Sequence, residues 1–294
     1  MKSSAETLQR FHEPVTGLFP RAPKTPAERR PYELTAGQVD FFRTNGYVKS
    51  GRILDEAQMQ VLRGELEEIR LRKNPLVSAL YEVDADYLSA PDRNVFHFLG
   101  AWLIAQAFHD ILWHPAVTVK LAQLLDTPTL RLWHDQVFYK PPRHPGLVTW
   151  HQDYSYWTRA VPARQITIWI GLDDSTLENG CLHYVPKSHA WGLVPKISLT
   201  KNMDDVKQYL TPDQLVQFRP EPMILKAGES TIHHSHMMHG SYGNRSDRHR
   251  RAIVLNYMHP ETRSDDGERP LLAGVPLIPK GAVIDGEFFP IVLR

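Results

Sequence analysis

Apolar residues in the first part of the chain recur at the spacing of amphipathic helices. Thr35 and Gln38 match a capping box, and the run that follows ends at the stop signal Asn45-Gly46. A second helix is predicted to begin at Asp55. Its apolar stripe is predicted to comprise Met59, Leu62, Leu66 and Ile69. These positions predict a helical N-terminal region.

A third helix is predicted over residues 114–125, and beyond residue 128 the pattern changes to short β-rich runs separated by turn signals. The runs are TLRLWHDQVFYK, QITIWIGL, CLHYVP, PMILK, STIHHSHMM and RAIVLNYM. Several short strands at this spacing predict an all-β sandwich or barrel behind the helical region.

The predicted organisation is an arm followed by one domain. Residues 1–32 contain several prolines and many charges without a sustained period, so we expect an extended arm that packs on the domain or is partly disordered. Residues 33–294 are predicted to form a single domain, helical over 33–127 and β over 128–294. A chain of 294 residues is long enough to bury one large core.

Composition excludes several classes of protein. Hydrophobic residues at 42% and charged residues at 23% are ordinary for a globular protein, and a net charge of +1 argues against nucleic-acid binding. The single cysteine, Cys181, cannot form an intramolecular disulfide. No apolar run approaches the length of a membrane span, and the start MKSSAETLQRF lacks a signal-peptide core. We therefore expect a soluble cytoplasmic protein without a membrane partner.

Two histidine-containing segments carry candidate metal chemistry. His151 and Asp153 lie two positions apart, so a strand would direct both side chains to one face. The segment TIHHSHMMHGSYGN supplies four more histidines and could be a zinc-binding tract, although the H-E-x-x-H string of zincins is absent. The residues alone leave open which of these histidines completes a site.

Arg250 is a candidate for binding a carboxylate. Two histidines and one carboxylate leave a face of the metal open, as in non-heme Fe(II) oxygenases. A dicarboxylate co-substrate would need an arginine in the same cavity, because a guanidinium binds a carboxylate through two parallel hydrogen bonds. Strand alternation places Arg250 on the same face as Ala252, Val254 and Asn256, whereas Arg251 points away.

Three longer segments carry a family resemblance. WHQDYSYW, IWIGLDDSTLENGCLHYVPKSH and GESTIHHSHMMHGSYGNRSDRHRRA resemble, in order, motifs of the phytanoyl-CoA dioxygenase family of Fe(II)/2-oxoglutarate-dependent oxygenases. The resemblance covers about residues 33–294. It implies a mainly β fold with N-terminal helices and a double-stranded β-helix core, which is a cupin-like jelly roll. It also implies a hydroxylating dioxygenase that uses Fe(II), 2-oxoglutarate and O2 and releases succinate and CO2.

Carried over residue by residue, the resemblance implies His151, Asp153 and His239 as iron ligands. It implies Arg250 for the far carboxylate of 2-oxoglutarate, with Ser241 as a hydroxyl partner. Trp157 matches an aromatic position near the metal and is expected in the substrate pocket. The intact Asp153 favours oxygenation, because related halogenases replace this carboxylate with a small residue. One departure is Pro186-Lys187-Ser188-His189, where the family usually has Pro-Gly-Ser-His.

Further side chains are assigned by position along the strands. Gln136 and Trp169 are predicted to contact the co-substrate, and Tyr154 is predicted to line the substrate pocket with Tyr156. Lys140 is interpreted as the exposed end of its strand. The remaining histidines are interpreted as packing or supporting residues; these are His233, His234 and His236.

The substrate is expected to be a small molecule covered by residues 75–110, the loop after Trp157 and residues 195–220, and no pattern indicates the oligomeric state. Two other functions are compatible with these residues. One is a metal enzyme on a cupin-like barrel that does not use 2-oxoglutarate, and the other is a non-catalytic small-molecule binder of the same fold.

Overall fold

The computed structural model describes residues 6–83, 96–197 and 202–294. Its α-helices are Pro26–Arg29 (α1), Ala36–Asn45 (α2), Glu56–Arg70 (α3), Gln106–Asp110 (α4), Pro115–Leu124 (α5) and Pro212–Gln217 (α6). Short 3-10 segments are Arg30–Tyr32, Val77–Ala79, Ala101–Leu103, Ile111–Trp113, Asp153–Tyr156, Ser188–Ala190 and Met203–Tyr209. Within these ranges no helix has the length and apolar character that crossing a bilayer requires.

The strands are Tyr47–Arg52 (β1), Phe96–Phe98 (β2), Leu130–Lys140 (β3), Val148–His151 (β4), Ala160–Val161 (β5), Gln165–Gly171 (β6), Leu182–Tyr184 (β7), Glu221–Pro222 (β8), Glu229–His234 (β9), His239–Ser241 (β10), Arg250–Met258 (β11), Arg263–Ser264 (β12) and Ile291–Leu293 (β13).

All three predicted helices are confirmed, and local signals explain their ends. Thr35 caps α2 with Gln38 in a capping box, and Gly46 ends it with a left-handed φ of 83°. Asp55 caps α3 in the same way. The predicted apolar stripe of α3 is buried, with relative exposures of 2% or less. Residues 115–124 form α5.

The strands pair antiparallel in two main sheets. The larger has the order β1-β9-β6-β11-β3-β13, with β2 also paired to β3, and the smaller has the order β4-β10-β7-β8. A separate pair joins β12 to β5. This mainly β architecture behind N-terminal helices confirms the predicted fold class, including its jelly-roll core.

The larger sheet is covered on both faces, which explains why its central strands are almost wholly buried. On one face, Ile253 and Leu255 join the cluster formed by the N-terminal helices. On the other, Val254 and Trp169 join a cluster with Tyr184 of the smaller sheet. Alternate residues of β6 and β11 therefore point either to the helices or into the space between the sheets.

The described part of the N-terminal arm packs on the domain. The backbone N–H of Leu8 donates to the carbonyl of Leu103 at 2.8 Å, and Phe19 is buried in the helical core. Asp110 accepts hydrogen bonds from the N–H groups of Val15 at 2.7 Å and Thr16 at 2.6 Å. The division into arm and single domain stays a prediction.

Asp110→Ala is expected to lower the free energy of unfolding by about 2–4 kcal/mol. The reason is that it leaves the N–H groups of Val15 and Thr16 without their hydrogen-bond acceptor. The corresponding fall in Tm in a thermal denaturation experiment is roughly 5–10 °C. Asp40→Ala, which removes an exposed carboxylate of α2, is the control. An equal Tm for both variants would show that the Asp110 contacts do not hold the arm.

Candidate active site

Three potential metal ligands meet where the smaller sheet begins. His151 ends β4 and pairs directly with His239 of β10, while Asp153 begins the 3-10 turn that follows β4. Their donor atoms all lie within 4.8 Å of one another. Oδ1 of Asp153 is 3.6 Å from Nε2 of His151 and 3.5 Å from Nε2 of His239. Strand register therefore brings together the three residues that the resemblance implied.

Both histidine rings are oriented by the same local hydrogen bond. Nδ1 of His151 lies 2.8 Å from the carbonyl oxygen of Thr149, and Nδ1 of His239 lies 2.9 Å from that of Met237. A carbonyl only accepts, so each Nδ1 carries the hydrogen and each Nε2 keeps its lone pair toward Asp153. This is the arrangement in which histidine binds a metal through Nε2.

The two oxygens of Asp153 have different surroundings. Oδ2 accepts hydrogen bonds from Oγ1 of Thr167 at 2.7 Å and from Nε2 of His233 at 3.0 Å, both on the larger sheet. Oδ1 faces His151 and His239 and remains available to a metal. Sequence reasoning missed Thr167, although strand alternation places it on the same face as Trp169.

The protonation states suit metal binding. Burial by itself would raise the pKa of Asp153, but the neighbouring His239, His151 and His233 side chains hold it well below its usual value. Burial, together with the neighbouring His151, lowers the pKa of His239 well below its usual value. The carboxylate is therefore ionised and His239 is neutral at neutral pH, as metal ligation requires.

Gln152 fixes the backbone between two of the ligands and was also missed. Its side chain is buried, with 1% exposure. Nε2 donates to the carbonyls of Gly192 at 2.8 Å and His236 at 2.9 Å, and Oε1 accepts from the N–H of Val194 at 2.7 Å. The amide thus anchors the ligand turn to two neighbouring segments.

Two buried cations lie side by side between the sheets. Arg250 of β11 pairs directly with Lys140 of β3, and their exposures are 1% and 0%. Nζ of Lys140 donates to Oγ of Ser241 at 2.8 Å and to the carbonyl of Tyr242 at 2.5 Å. The interpretation of Lys140 as an exposed strand end is wrong, because the residues that follow His239 cover that end of β3.

Arg250 is only partly paired by the protein. Its Nη2 donates to the carbonyl of Gly180 at 3.0 Å, and its Nε is buried without a hydrogen-bond partner in the described part of the chain. Among the described residues, no carboxylate lies within ion-pair distance of Arg250 or Lys140. Unpaired buried charge is costly, so this pocket is suited to an anionic ligand.

The pKa values of the two cations reflect their burial. Burial lowers the pKa of Arg250 to about 10. Burial, together with the charge of Arg250, lowers the pKa of Lys140 well below its usual value. An anion between the two side chains would offset both effects. Lys140 is therefore a site residue that sequence reasoning did not identify.

The predicted co-substrate contacts surround the same space. The guanidinium carbon of Arg250 lies 5.7 Å from the ring centroid of Trp169. Ser241 is buried and accepts from Lys140. Gln136 faces the same side of β3 as Lys140 but lies nearer its middle, where Oε1 is 2.9 Å from Nε2 of His97. The structure thus places Ser241 and Trp169 beside the two cations and Gln136 further along the cavity.

The predicted pocket aromatics differ in position. Tyr156 approaches His151 edge-on, with ring centroids 5.9 Å apart. Trp157 is buried edge-on against His134 at 5.3 Å. Tyr154 donates to the carbonyl of Ala160 at 3.2 Å and stacks on His236 at 5.0 Å. The described contacts of Tyr154 are those of a packing residue, and its place in the substrate pocket stays a prediction.

The remaining histidines of the histidine-rich segment lie beside a loop that departs from the family pattern. The His234 ring contacts those of His236 and His189, with centroids 5.4 Å and 5.6 Å apart. Lys187 adopts a left-handed φ of 67°, the conformation that the usual glycine favours. Ser188 then accepts from the N–H of Met238 at 2.8 Å. The loop therefore supports β10 despite the substitution.

The predicted cover of the substrate pocket falls partly outside the described residues, at 84–95 and 198–201. In the described part, Tyr156 donates to the carbonyl of Ile197 at 2.7 Å. Residues 203–210 contribute Met203, Val206 and Leu210 to the cluster on the outer face of the smaller sheet. That segment therefore packs on the sheet that carries His151 and His239.

Comparison with known proteins supports the resemblance. The family model for phytanoyl-CoA dioxygenase (PhyH) matches residues 42–252. A phytanoyl-CoA dioxygenase of Arabidopsis thaliana is 24% identical over 267 residues, covering 78% of this chain and 90% of that protein. A methylphosphonate hydroxylase of Gimesia maris is 27% identical over 241 residues, covering 76% and 80%.

A solved structure shares the fold. The non-heme alpha ketoglutarate dependent carbocyclase SnoK from nogalamycin biosynthesis superposes with a TM-score of 0.69 at 23% identity, covering 88% of this chain and 96% of that one. The family model itself spans more than half of the chain and includes the three candidate ligands and Arg250. The chain therefore belongs to the phytanoyl-CoA dioxygenase (PhyH) family.

Proposed function

We propose that this protein is an Fe(II)- and 2-oxoglutarate-dependent dioxygenase that hydroxylates a small molecule. The observation that carries the proposal is the pairing of two features on β10. His239 begins that strand and lies beside Asp153. Ser241 ends the strand and accepts a hydrogen bond from Lys140, and Lys140 pairs directly with Arg250 on the neighbouring strand. A metal centre and an anion pocket two residues apart are what a chelating dicarboxylate co-substrate requires.

The three donor groups fit a divalent iron. Two imidazoles and one available carboxylate oxygen lie within 4.8 Å of one another, a set that could hold a metal and leave further coordination positions free. Ligand atoms at neighbouring positions around a metal with bonds of about 2.1 Å lie about 3 Å apart. Oδ1 of Asp153 lies 3.6 Å from Nε2 of His151 and 3.5 Å from Nε2 of His239, so these two separations need to shorten by about half an ångström. Thr167 and His233 keep the second oxygen of Asp153 occupied.

The cation pocket fits the far carboxylate of 2-oxoglutarate. Arg250 offers its unpaired Nε, Lys140 supplies a second positive charge, and Ser241 supplies a hydroxyl. Their burial excludes water, which strengthens each interaction with a bound anion. A bound Fe(II) would supply the oxidative chemistry that converts 2-oxoglutarate and O2 to succinate and CO2 and provides an oxygen atom for the substrate. The residues of the chain hold and orient the co-substrate.

Hydroxylation is the reaction we favour within this class. The carboxylate ligand Asp153 is intact, which argues against halogenation, and the similar protein of Gimesia maris is a hydroxylase. SnoK, which is described as a carbocyclase, shares the fold, so we keep ring formation as the second candidate. The single-domain organisation and the cytoplasmic location belong to the same proposal.

Asp153→Ala is expected to weaken Fe(II) binding by at least about 100-fold, because it removes a ligand and its negative charge. Anaerobic calorimetry measures the affinity, and succinate formation from 2-oxoglutarate should be lost in parallel. Asp204→Ala, which removes an exposed carboxylate on the segment covering the smaller sheet, is the control. Unchanged Fe(II) affinity in Asp153→Ala would remove the metal centre from the proposal.

Arg250→Ala is expected to raise the KM for 2-oxoglutarate by roughly 30- to 1000-fold, since it removes one partner of a buried ion pair. The neighbouring Arg251 provides a matched control, because it points away and pairs with Asp173 at 2.8 Å. Arg251→Ala should change the KM by less than about fivefold. Equal KM values in the two variants would contradict the assigned pocket, and substrate turnover in the absence of 2-oxoglutarate would favour a different metal enzyme.

Hydroxylation is tested by incubating the loaded enzyme with a metabolite extract under ¹⁸O2 and comparing masses before and after. The expected product is a compound that has gained one labelled oxygen atom in step with succinate. A product that has lost two hydrogen atoms without gaining oxygen would instead indicate ring formation or desaturation. If no compound is consumed and no succinate forms, the result would favour a non-catalytic binder.

A further inference from the structure

His134 is a buried histidine that borders the active-site space and that the iron and co-substrate contacts do not use. It lies on the same side of β3 as Lys140, the side that faces the smaller sheet, and it pairs directly with Asn256 of β11. Its ring lies edge-on to that of Trp157, with centroids 5.3 Å apart. Trp157 directly follows the turn that begins at Asp153, so His134 stands close to the metal centre.

A line of hydrogen bonds connects His134 to Asp153. The hydroxyl of Thr167 lies 2.7 Å from Oδ2 of Asp153 and donates its single hydrogen to this ionised carboxylate. The side-chain amide of Asn256 lies 2.9 Å from the same hydroxyl oxygen and, at its other end, 3.2 Å from Nδ1 of His134. Because the hydroxyl has no second hydrogen, the NH2 group of Asn256 must donate to it. The amide oxygen of Asn256 then faces Nδ1 of His134.

The neighbours of Nδ1 determine which nitrogen of His134 carries the hydrogen. Nδ1 faces the amide oxygen of Asn256 and also lies 3.3 Å from the carbonyl oxygen of Asp135. Both oxygens only accept, so Nδ1 carries the hydrogen and Nε2 keeps its lone pair. Burial lowers the pKa of His134 to about 3, so the ring is neutral at physiological pH. Nε2 is therefore a hydrogen-bond acceptor of fixed orientation.

The protein leaves this acceptor open. Within the described ranges Nε2 of His134 has no hydrogen-bond partner, yet it is not among the unpartnered atoms that are sealed from solvent. The residue is only 3% exposed and points between the sheets, so the opening belongs to the active-site space. The rings of Trp133 and Trp157 flank the imidazole, with centroids 5.8 and 5.3 Å away. A donor that reaches this lone pair would bind in largely apolar surroundings, where a hydrogen bond is strong.

We propose that Nε2 of His134 accepts a hydrogen bond from a hydroxyl or amine group of the substrate. His134 thereby determines specificity, and the substrate is a small molecule that carries such a donor near the carbon that is oxidised. An ionised carboxylate at this point would bring its own lone pairs toward Nε2, and a hydrocarbon would leave Nε2 unpaired. This inference rests on the proposed function, because it specifies the substrate of the same reaction.

The test starts from the compound in a metabolite extract that gains ¹⁸O when the Fe(II)- and 2-oxoglutarate-loaded wild type is exposed to ¹⁸O2. For that compound, His134→Leu is expected to lower kcat/KM roughly 10- to 100-fold, because the donor of the substrate loses its partner. The Kd of the compound, measured without O2 from the shift of the metal-centred absorption band, should rise by a similar factor. Fe(II) affinity and the KM for 2-oxoglutarate should stay at their wild-type values.

Two conservative variants separate substrate binding from a structural role. His134→Gln places an oxygen acceptor near the position of Nε2 and should retain most of the wild-type kcat/KM. His134→Asn replaces only the Nδ1–H donor toward the carbonyl of Asp135 and should be as impaired as His134→Leu. The opposite pattern, rescue by Asn and not by Gln, would show that His134 only supports its strand and would overturn the proposal.

His183→Leu is the matched control. His183 is also a buried histidine on a strand, and its Nδ1 lies 3.2 Å from the carbonyl oxygen of Cys181. Its ring lies edge-on to that of Trp150, which belongs to the cluster on the outer face of the smaller sheet. This variant should keep the wild-type kcat/KM for the labelled compound. An equal loss in His183→Leu and His134→Leu would trace the effect to the removal of any buried histidine and would overturn the proposal.

Analogues of the labelled compound that each lack one hydroxyl or amine group test the contact from the substrate side. In the wild type, removal of the group that binds Nε2 should lower kcat/KM roughly 10- to 100-fold, whereas in His134→Leu the same removal should have little further effect. Additive losses for every such group would overturn the contact and leave the proposed function intact, as would a labelled compound without any O–H or N–H group. If no compound gains ¹⁸O, the proposed hydroxylation fails and this inference fails with it.

Discussion

The carboxylate of Asp153 is the contact on which the active-site architecture depends. Its Oδ1 faces His151 and His239 of the smaller sheet, and its Oδ2 is held by Thr167 and His233 of the larger sheet. A buried ionised carboxylate is costly unless hydrogen-bond donors or positive charge surround it. The two sheets must therefore meet in one relative register, and that register also defines where His151 and His239 present their Nε2 atoms.

The negative and positive charges of the active site lie at opposite ends of the space between the sheets. Asp153 is held ionised at one end by histidines, whereas Arg250 and Lys140 stand unpaired by any described carboxylate at the other. Such an arrangement costs folding stability, a cost that natural active sites commonly carry. A divalent metal at one end and a dicarboxylate at the other would satisfy both, so ligands that bind only the native state should also stabilise it.

Features set by short-range signals could be predicted from the sequence. The capping residues Thr35 and Asp55 fixed helix starts, and strand alternation placed Arg250 inward and Arg251 outward. The order of three motifs identified the family. Each of these rests on residues close together in the chain or on a period that strands impose.

Features set by pairing between distant strands could not be predicted. Lys140 is buried because residues 241 and 242 cover the end of β3, a contact across about a hundred positions. The register of β9 against β6 pairs His233 with Thr167, and this register selects His233 among the neighbouring histidines as the one that reaches Asp153. No local sequence signal distinguishes His233 from His234. No local signal predicts that Tyr47 stacks on Tyr184 either.

The central claim is that one site binds Fe(II) and 2-oxoglutarate together. The most direct measurement is an anaerobic titration of the Fe(II)-loaded protein with 2-oxoglutarate, followed by visible absorption. The account predicts a charge-transfer band that saturates with 2-oxoglutarate and is absent when the protein is loaded with 2-oxoglutarate alone. Tight Fe(II) binding with no such band at any 2-oxoglutarate concentration would contradict it.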